Sequence, residues 1–266
     1  MTGPYLAKPC GDCCLGGHLH EGEPRGSTEK IHDINTYVAK PSDEKSNGNI
    51  VLFFTDVYGI FHNNNLLIMD TFADAGYLCL ALDFFQGDNL MNYRDENRKD
   101  LPGFDFKAWA TKNMEWAMSA TPKWIEAAKE KYGKEETKYA CVGYCFGAPF
   151  VCQELAKDTV SAGAFAHPAF LTEKHFSDLK HPLLLSCAED DWTFGDDQRH
   201  QAEAIMKKDK KRYMVQLFSG VKHGFALRCN LDDPYEKFVK EQSLSGMLQY
   251  FDFWLSGSAD KFIKVN

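Results

Sequence analysis

Blocks of apolar residues alternate with amphipathic stretches along most of the chain. "NIVLFFTD" (Asn49 to Asp56) is a continuous apolar run, the pattern of a strand buried on both faces. Asn63 to Gly76 has Leu66, Met69, Phe72 and Ala73 at helical spacing, with Gly76 as a stop. "YLCLALD" (Tyr77 to Asp83) predicts a second buried strand, and "KYACVGY" a third that leads at once into a helix from Phe146 to Lys157. "VSAGAFAH", "PLLLSCAED" and "YMVQLFSG" predict three more strands, with a helix over Asp196 to Lys208 before the last. Trp116 to Tyr132 is helical in character and is expected to break at Pro122, which can open a new helix. A final helix starts at "LDDPYEKF", capped by Asp232 or Asp233, with Leu244, Met247, Leu248, Phe251 and Leu255 on its apolar face.

Strands and helices in alternation, with no break in composition, predict one α/β domain around a mostly parallel sheet, helices on both faces. It is expected over residues 31–266, with Ile31 to Ala39 as an early strand. Residues 1–30 contain "CGDCCLGGHLHEGEPRG", whose Gly, Cys and His content reads as a loop-like arm. The polar excursion from Gln86 to Phe106 is the natural place for a lid or substrate loop.

Composition narrows the partners. The 266 residues are 44% hydrophobic, enough for a sizeable core, and the net charge is −8. The most basic stretch, Lys207 to Arg212, reads as a solvated helix end, so nucleic acid and anionic membrane are poor partners. No apolar run approaches the roughly 20 residues that span a bilayer, and "MTGPYLAKPC" has no signal core, so a cytoplasmic protein is expected. Nine cysteines, an odd number, suit a reducing compartment better than a disulfide framework.

One of those cysteines sits where chemistry is done. Gly143-x-Cys145-x-Gly147 follows a strand and opens a helix, the arrangement of a nucleophile elbow. The turn is sharp, its neighbours must be small, and the helix N-terminus favours a thiolate and offers N–H groups to an oxyanion. A buried structural thiol is the competing reading of Cys145. "HGFALR" puts His223 after the last strand, where a general base belongs, though an ordinary loop histidine has the same signature. "CAEDDWTF" puts Asp190 and Asp191 after another strand, where an acid can fix the tautomer of the base. Nucleophile, acid and base then follow one another in the chain order of α/β-hydrolases. The sulfur is expected at the mouth of a cleft, ionisable and unprotected.

These motifs resemble the dienelactone hydrolase family, the carboxymethylenebutenolidase-like branch of the α/β-hydrolases. "GYCFGA" resembles its elbow, "AEDD" its acid segment and "HGFALR" its histidine loop; "TDVYG" and "LDFFQG" match further stretches, and the similarity spans Ile31 to Leu255. The Cys-rich N-terminus resembles fungal and other eukaryotic members. The resemblance implies Cys145 as nucleophile, His223 as base and Asp191 as acid, with Asp190 as runner-up and the N–H groups of Phe146 and Val57 as the oxyanion hole. Bacterial members carry glutamate where Asp56 stands, which helps to hold the resting cysteine and takes part in its activation; here Asp56 either shares that role or holds its own loop. The family binds substrate carboxylates with arginine, which makes Arg94, Arg98 and Arg228 candidates, and Trp192 a candidate substrate contact.

The implied reaction is acyl transfer to water through an acyl-enzyme, on a small-molecule lactone or activated ester. A thiolate is itself a good leaving group, so amides are poor substrates. A thioesterase-like hydrolase and a non-catalytic redox-sensing thiol protein of the same fold are the alternatives. No cofactor is expected, and a monomer or homodimer is. Cys10, Cys13, Cys14, His18 and His20 include a C-x-x-C and an H-x-H, but a second C-x-x-C is missing, so a reduced arm without metal is the expectation. His167, in "AHPAF", reads as a loop histidine close to the site.

Overall fold

The computed structural model describes residues 4–95 and 99–257. The chain runs β1 (Tyr5–Ala7), β2 (Ser27–Ile31), β3 (Ile34–Ala39), β4 (Ile50–Phe54), α1 (Asn63–Asp74), β5 (Leu78–Leu82), α2 (Phe106–Tyr132), β6 (Tyr139–Tyr144) and α3 (Ala148–Leu155). It continues through β7 (Ala162–Ala166), β8 (Leu171–Thr172), α4 (Glu173–Ser177), β9 (Leu183–Asp190), α5 (Asp196–Lys208), β10 (Tyr213–Lys222), α6 (Phe225–Arg228) and α7 (Pro234–Leu255). Eight strands form one sheet in the order β10-β9-β7-β6-β4-β5-β3-β2. The pairs among β4, β5, β6, β7, β9 and β10 are parallel; β3 runs antiparallel to both its neighbours.

Period-two alternation divides the sheet's side chains between two cores. Leu52, Phe54, Cys141, Phe165 and Leu185 face Trp109, Trp124, Phe150 and Met206 of α2, α3 and α5. Val51, Phe53, Val142, Ala164 and Leu184 face Met69, Phe72, Met247 and Phe251 of α1 and α7. The central parallel strands β4, β6 and β7 are buried on both faces, which is why they read as unbroken apolar runs.

Two elements depart from expectation. The early strand is a hairpin, β2–β3, turned at His32 and Asp33 with φ of 51° and 59°. Helix α2 starts ten residues early, at Phe106, and passes through Pro122 without a break. Trp109, Met114 and Ala117 before the proline and Trp124, Ile125 and Ala128 after it share one buried face. Burying that face outweighs the cost of about 3 kcal/mol of an interior proline.

Residues 5–20 lie against the domain as a strap. Strand β1 pairs with β8, Lys8 N–H donates to Thr193 O (2.8 Å), and Phe170 N–H donates to Lys8 O (3.0 Å). Tyr58 O–H donates to Leu15 O (2.6 Å), and Asn64 Nδ2 donates to His18 O (2.8 Å). Leu6, Ala7 and Cys14 are buried in the core. The excursion after β5 instead folds on α2: Trp109 Nε1 donates to Asp88 O (2.9 Å) and Tyr93 stacks on Phe104.

Burial raises the pKa of Cys79, Cys141, Cys145, Cys152 and Cys187 above the ordinary thiol value of 9.0. Below that value both folded and unfolded chains keep these protons. Above it the unfolded chain releases them and the folded chain does not, so stability falls as pH rises. Each thiol costs about 1.4 kcal/mol for every pH unit beyond 9. The denaturant midpoint measured under reductant is therefore expected to drop steeply between pH 8.5 and 10, by several kcal/mol in unfolding free energy.

Candidate active site

Four strand ends converge at the C-terminal edge of the sheet, where parallel α/β folds gather their reacting groups. Cys145 follows β6, Asp191 follows β9, His223 follows β10, and Asp56 and Val57 follow β4. Cys145 takes a left-handed conformation, φ 50°, which a residue with a Cβ adopts only when its surroundings enforce it. The enforcement is steric: a Cβ on Gly147 would run into the backbone of Phe54, and one on Gly143 would lie 2.7 Å from Gly147 O. Both flanking glycines are thus required by close approach.

Cys145 Sγ lies 3.2 Å from His223 Nε2. On the far side of the ring, His223 Nδ1 lies 2.9 and 3.0 Å from the two oxygens of Asp191. Nδ1 faces a carboxylate, so it carries a proton, and Nε2 is the nitrogen turned to the thiol, free to accept from it whenever the ring is neutral. Burial opposes charge on both partners; their mutual attraction overcomes it, holding the Asp191 carboxyl below its ordinary pKa and the His223 imidazole well above. The arrangement fits a Cys-His-Asp triad. Asp190 is exposed at the end of β9, and Asp191 is the residue against the ring.

Two residues, Thr193 and Asn65, escaped the sequence reading, and His167 stands nearer the base than its loop reading implies. Thr193 Oγ1 lies 2.6 Å from Asp191 Oδ1 and 3.0 Å from His223 Nδ1, and the Thr193 and Phe194 N–H groups donate to the same carboxylate oxygen. An aspartate that opens a loop readily accepts from the backbone N–H two residues on, an Asx turn, so this contact is local in the sequence. Asn65 Nδ2 donates to Asp56 Oδ1 (3.1 Å), Thr55 Oγ1 (2.9 Å) and Gly59 O (2.8 Å), shaping the loop that carries Val57. His167 is fully buried, with its ring edge-on to that of His223 at 4.9 Å, and burial keeps it neutral. Thr193→Val removes a hydrogen bond to a charged group, worth about 1.5–3 kcal/mol. Hydrolytic kcat/KM is expected to fall at least about tenfold, with KM little changed.

The expectation of an unprotected sulfur is overturned. Cys145 is 0% exposed. Cys10 Sγ of the strap is 3.4 Å from Cys145 Sγ, and Cys14 Sγ is 3.3 Å from His223 Nε2. Burial first, and the Cys10 thiol second, push the Cys145 thiol up to about 12, so in this closed form it is a neutral thiol despite the helix N-terminus behind it. Among the described residues, the thiols that cover the sulfur and the ring come from the N-terminal strap.

The arginine assignments also change. Arg228 is buried and ion-paired with Asp56 through Nη1. Its Nε donates to Gly16 O (2.8 Å), its Nη2 donates to Cys14 O (3.1 Å), and its guanidinium lies over Tyr58 at 4.9 Å. It therefore clamps the strap to the β4 loop, and a substrate carboxylate would have to displace Asp56. Asp56 bonds its own loop as well, accepting from Tyr58 N–H at 3.1 Å. Arg94 pairs with Asp100 (2.7 Å) across the excursion, while Arg98 lies outside the described residues. Trp192 is 57% exposed, with Lys8 Nζ over its ring at 4.8 Å. An open cavity of about 480 Å3 lies on the solvent side of His223, lined by Trp192, Lys222, His223, Phe225 and Arg228 among others.

An eight-stranded α/β sheet with these groups at its C-terminal edge defines a hydrolase of the α/β-hydrolase class. The model of the dienelactone hydrolase family matches residues 34–255, and the chain belongs to that family, whose members are hydrolases of ester and lactone bonds. It is 42% identical to "Dienlactone hydrolase 1" of Gibberella moniliformis over 96% of this chain and 98% of that one. It is 25% identical to the carboxymethylenebutenolidase homolog of Homo sapiens over 94% of this chain and 98% of that one. Among solved structures, a putative dienelactone hydrolase from Klebsiella pneumoniae superposes with a TM-score of 0.68, covering 87% of this chain and 98% of that one at 14% identity. Among the described residues, no helix is long and apolar enough to cross a membrane.

Proposed function

We propose that this protein hydrolyses small lactones and activated esters, with Cys145 as nucleophile, His223 as general base and acid, and Asp191 as the group that orients His223. The observation that carries the reading is the unbroken line from Cys145 Sγ through His223, 3.2 Å to one ring nitrogen and 2.9 Å from the other to Asp191, at a strained strand-to-helix turn. When the strap lifts, water reaches the sulfur, its proton passes to His223 Nε2, and the thiolate attacks the carbonyl carbon. The carbonyl π pair moves to oxygen, which accepts from the N–H groups of Phe146 and Val57. Phe146 N–H is in the first turn after Cys145, where helix donors have no intrahelical partner. Donors of this kind contribute about 3–4 kcal/mol each to the transition state.

Collapse of the tetrahedral intermediate breaks the C–O bond, and the proton on Nε2 goes to the leaving oxygen. Water then gives its proton to Nε2, attacks the thioester carbon and releases the acid with Cys145 restored. The cavity beside Trp192 and Arg228 is the proposed seat of the acyl or leaving group. A thiolate departs from the first intermediate more readily than an amine does, so esters and lactones outrank amides.

The test is a panel of dihydrocoumarin, p-nitrophenyl acetate, a thioester and p-nitroacetanilide. Turnover of the first three with the anilide at least about a thousandfold slower, a difference of about 4 kcal/mol in activation free energy, is the expected result. Anilide turnover at a comparable rate contradicts it.

A further inference from the structure

We propose that Cys10, Cys14, Cys145 and His223 form a zinc site that closes the active site when it is filled. As a regulatory device this rests on the proposed roles of Cys145 and His223; the ligand set itself does not. The sulfurs of Cys10, Cys14 and Cys145 all lie within 4.8 Å of one another. His223 Nε2 is 3.3 Å from Cys14 Sγ and 3.2 Å from Cys145 Sγ, and Cys10 Sγ is 3.4 Å from Cys145 Sγ. Tetrahedral zinc, with Zn–S near 2.3 Å and Zn–N near 2.0–2.1 Å, needs sulfurs about 3.8 Å apart and sulfur–nitrogen pairs about 3.6 Å apart. The three close contacts are a few tenths of an ångström inside those values, the remaining sulfur separations must contract by no more than about 1 Å, and His223, which lies outside the 4.8 Å group of sulfurs, must close on Cys10 Sγ by more than that.

The supporting shell is already built. A zinc-bound histidine characteristically gives its second nitrogen to a carboxylate, which fixes the tautomer and raises its basicity. Asp191 holds His223 Nδ1 in that manner at 2.9 Å. The strap supplies only half of the set, Cys10 and Cys14. His18 is exposed, and His20 is spent on Cys229 O at 2.9 Å, so the H-x-H of the strap takes no part. The missing half comes from the elbow and the β10 loop, far away in sequence.

Cys14 and Cys145 are fully buried and Cys10 is partly so. Soft ligands packed together away from water are suited to a soft dication, to which they deliver three thiolates. Each thiol releases its proton as its S–Zn bond forms, so zinc uptake frees three protons, and no electrons move. The filled site occupies both the nucleophile and the base and pins the strap. A peroxide-driven disulfide between Cys10 and Cys145 is the chemical competitor. It calls for a thiol that the oxidant can reach, and Cys145 is fully buried.

The experiment titrates the full-length protein, stripped by chelator under reductant, with cobalt(II) as the optical substitute for zinc. One cobalt per chain is expected, with thiolate-to-cobalt charge transfer and tetrahedral d–d bands that zinc bleaches. Cys10→Ser, Cys14→Ser and His223→Ala are each expected to weaken cobalt binding at least tenfold, and Cys145→Ala does the same where a strap variant fails to fold. Zinc is expected to stop hydrolysis by the wild type, with recovery on chelation. The Cys10→Ser/Cys14→Ser variant should require at least tenfold more zinc relative to its own metal-free rate. Absence of the charge-transfer band in the wild type, or a band unchanged in the double variant, overturns the proposal. Cobalt binding is read without substrate. A chain that binds cobalt and hydrolyses nothing therefore keeps the site and loses the hydrolase reading, and active hydrolase without the band does the reverse.

Discussion

Cys145→Ala is expected to abolish ester hydrolysis, with kcat/KM for p-nitrophenyl acetate at least about a thousandfold below wild type. Alanine keeps the elbow's backbone but leaves nothing to form the thioester. Residual rate can come only from the oxyanion donors acting on water, which is far slower. His223→Ala should match it, since a thiol buried beside an apolar hole has no base to take its proton. The double variant should be no slower than either single one, because nucleophile and base act as one unit. Steady-state kinetics of the three variants checks this. A Cys145→Ala rate within tenfold of wild type removes the sulfur from the mechanism.

The strap is the second large effect. Arg228→Met is expected to destabilise the fold by about 3–5 kcal/mol, because it leaves Asp56 buried without its cation. It also withdraws the donors that hold Gly16 O and Cys14 O, so the strap lifts and Cys145 meets water. In the closed form the thiol is pushed up to about 12 from an ordinary 9.0, which leaves about a thousandfold less thiolate at neutral pH. A thiolate of ordinary basicity is intrinsically less nucleophilic, by about thirtyfold over that span, so the net gain on opening is about thirtyfold before access is counted. Iodoacetamide labelling of Cys145 should therefore accelerate at least about thirtyfold. Asp56→Asn/Arg228→Met removes the unpaired charge and should recover most of the stability while labelling stays fast. Slow labelling in that double variant would show that Arg228 does not hold the strap.

Much of this protein could be read from its residue pattern, for identifiable reasons. A strand buried on both faces writes itself as an apolar run, so β4, β5, β6, β7 and β9 were legible. The elbow was legible too, because small residues at Gly143 and Gly147 are demanded by backbone contact. Pro122 misled, since its local cost is visible in the sequence and the burial that offsets it is not. Thr193 was overlooked though its Asx turn is local. The strap was illegible for a different reason. Its glycines and cysteines read as coil, and what orders them lies far along the chain: Thr172, Thr193, Tyr58 and Arg228. Arg228 is only one of three candidate carboxylate ligands by sequence, because its partners, Asp56 and two carbonyls of the strap, cannot be inferred from spacing.

The central claim is that acyl groups pass through the sulfur of Cys145. Rapid acid quench of the enzyme with p-nitrophenyl acetate, followed by intact-mass and peptide analysis, tests it most directly. One acetyl per chain on the peptide carrying Cys145, formed at a rate no slower than turnover, is the predicted result. Acetate released at the wild-type rate with no acetyl on Cys145 at any time would contradict it.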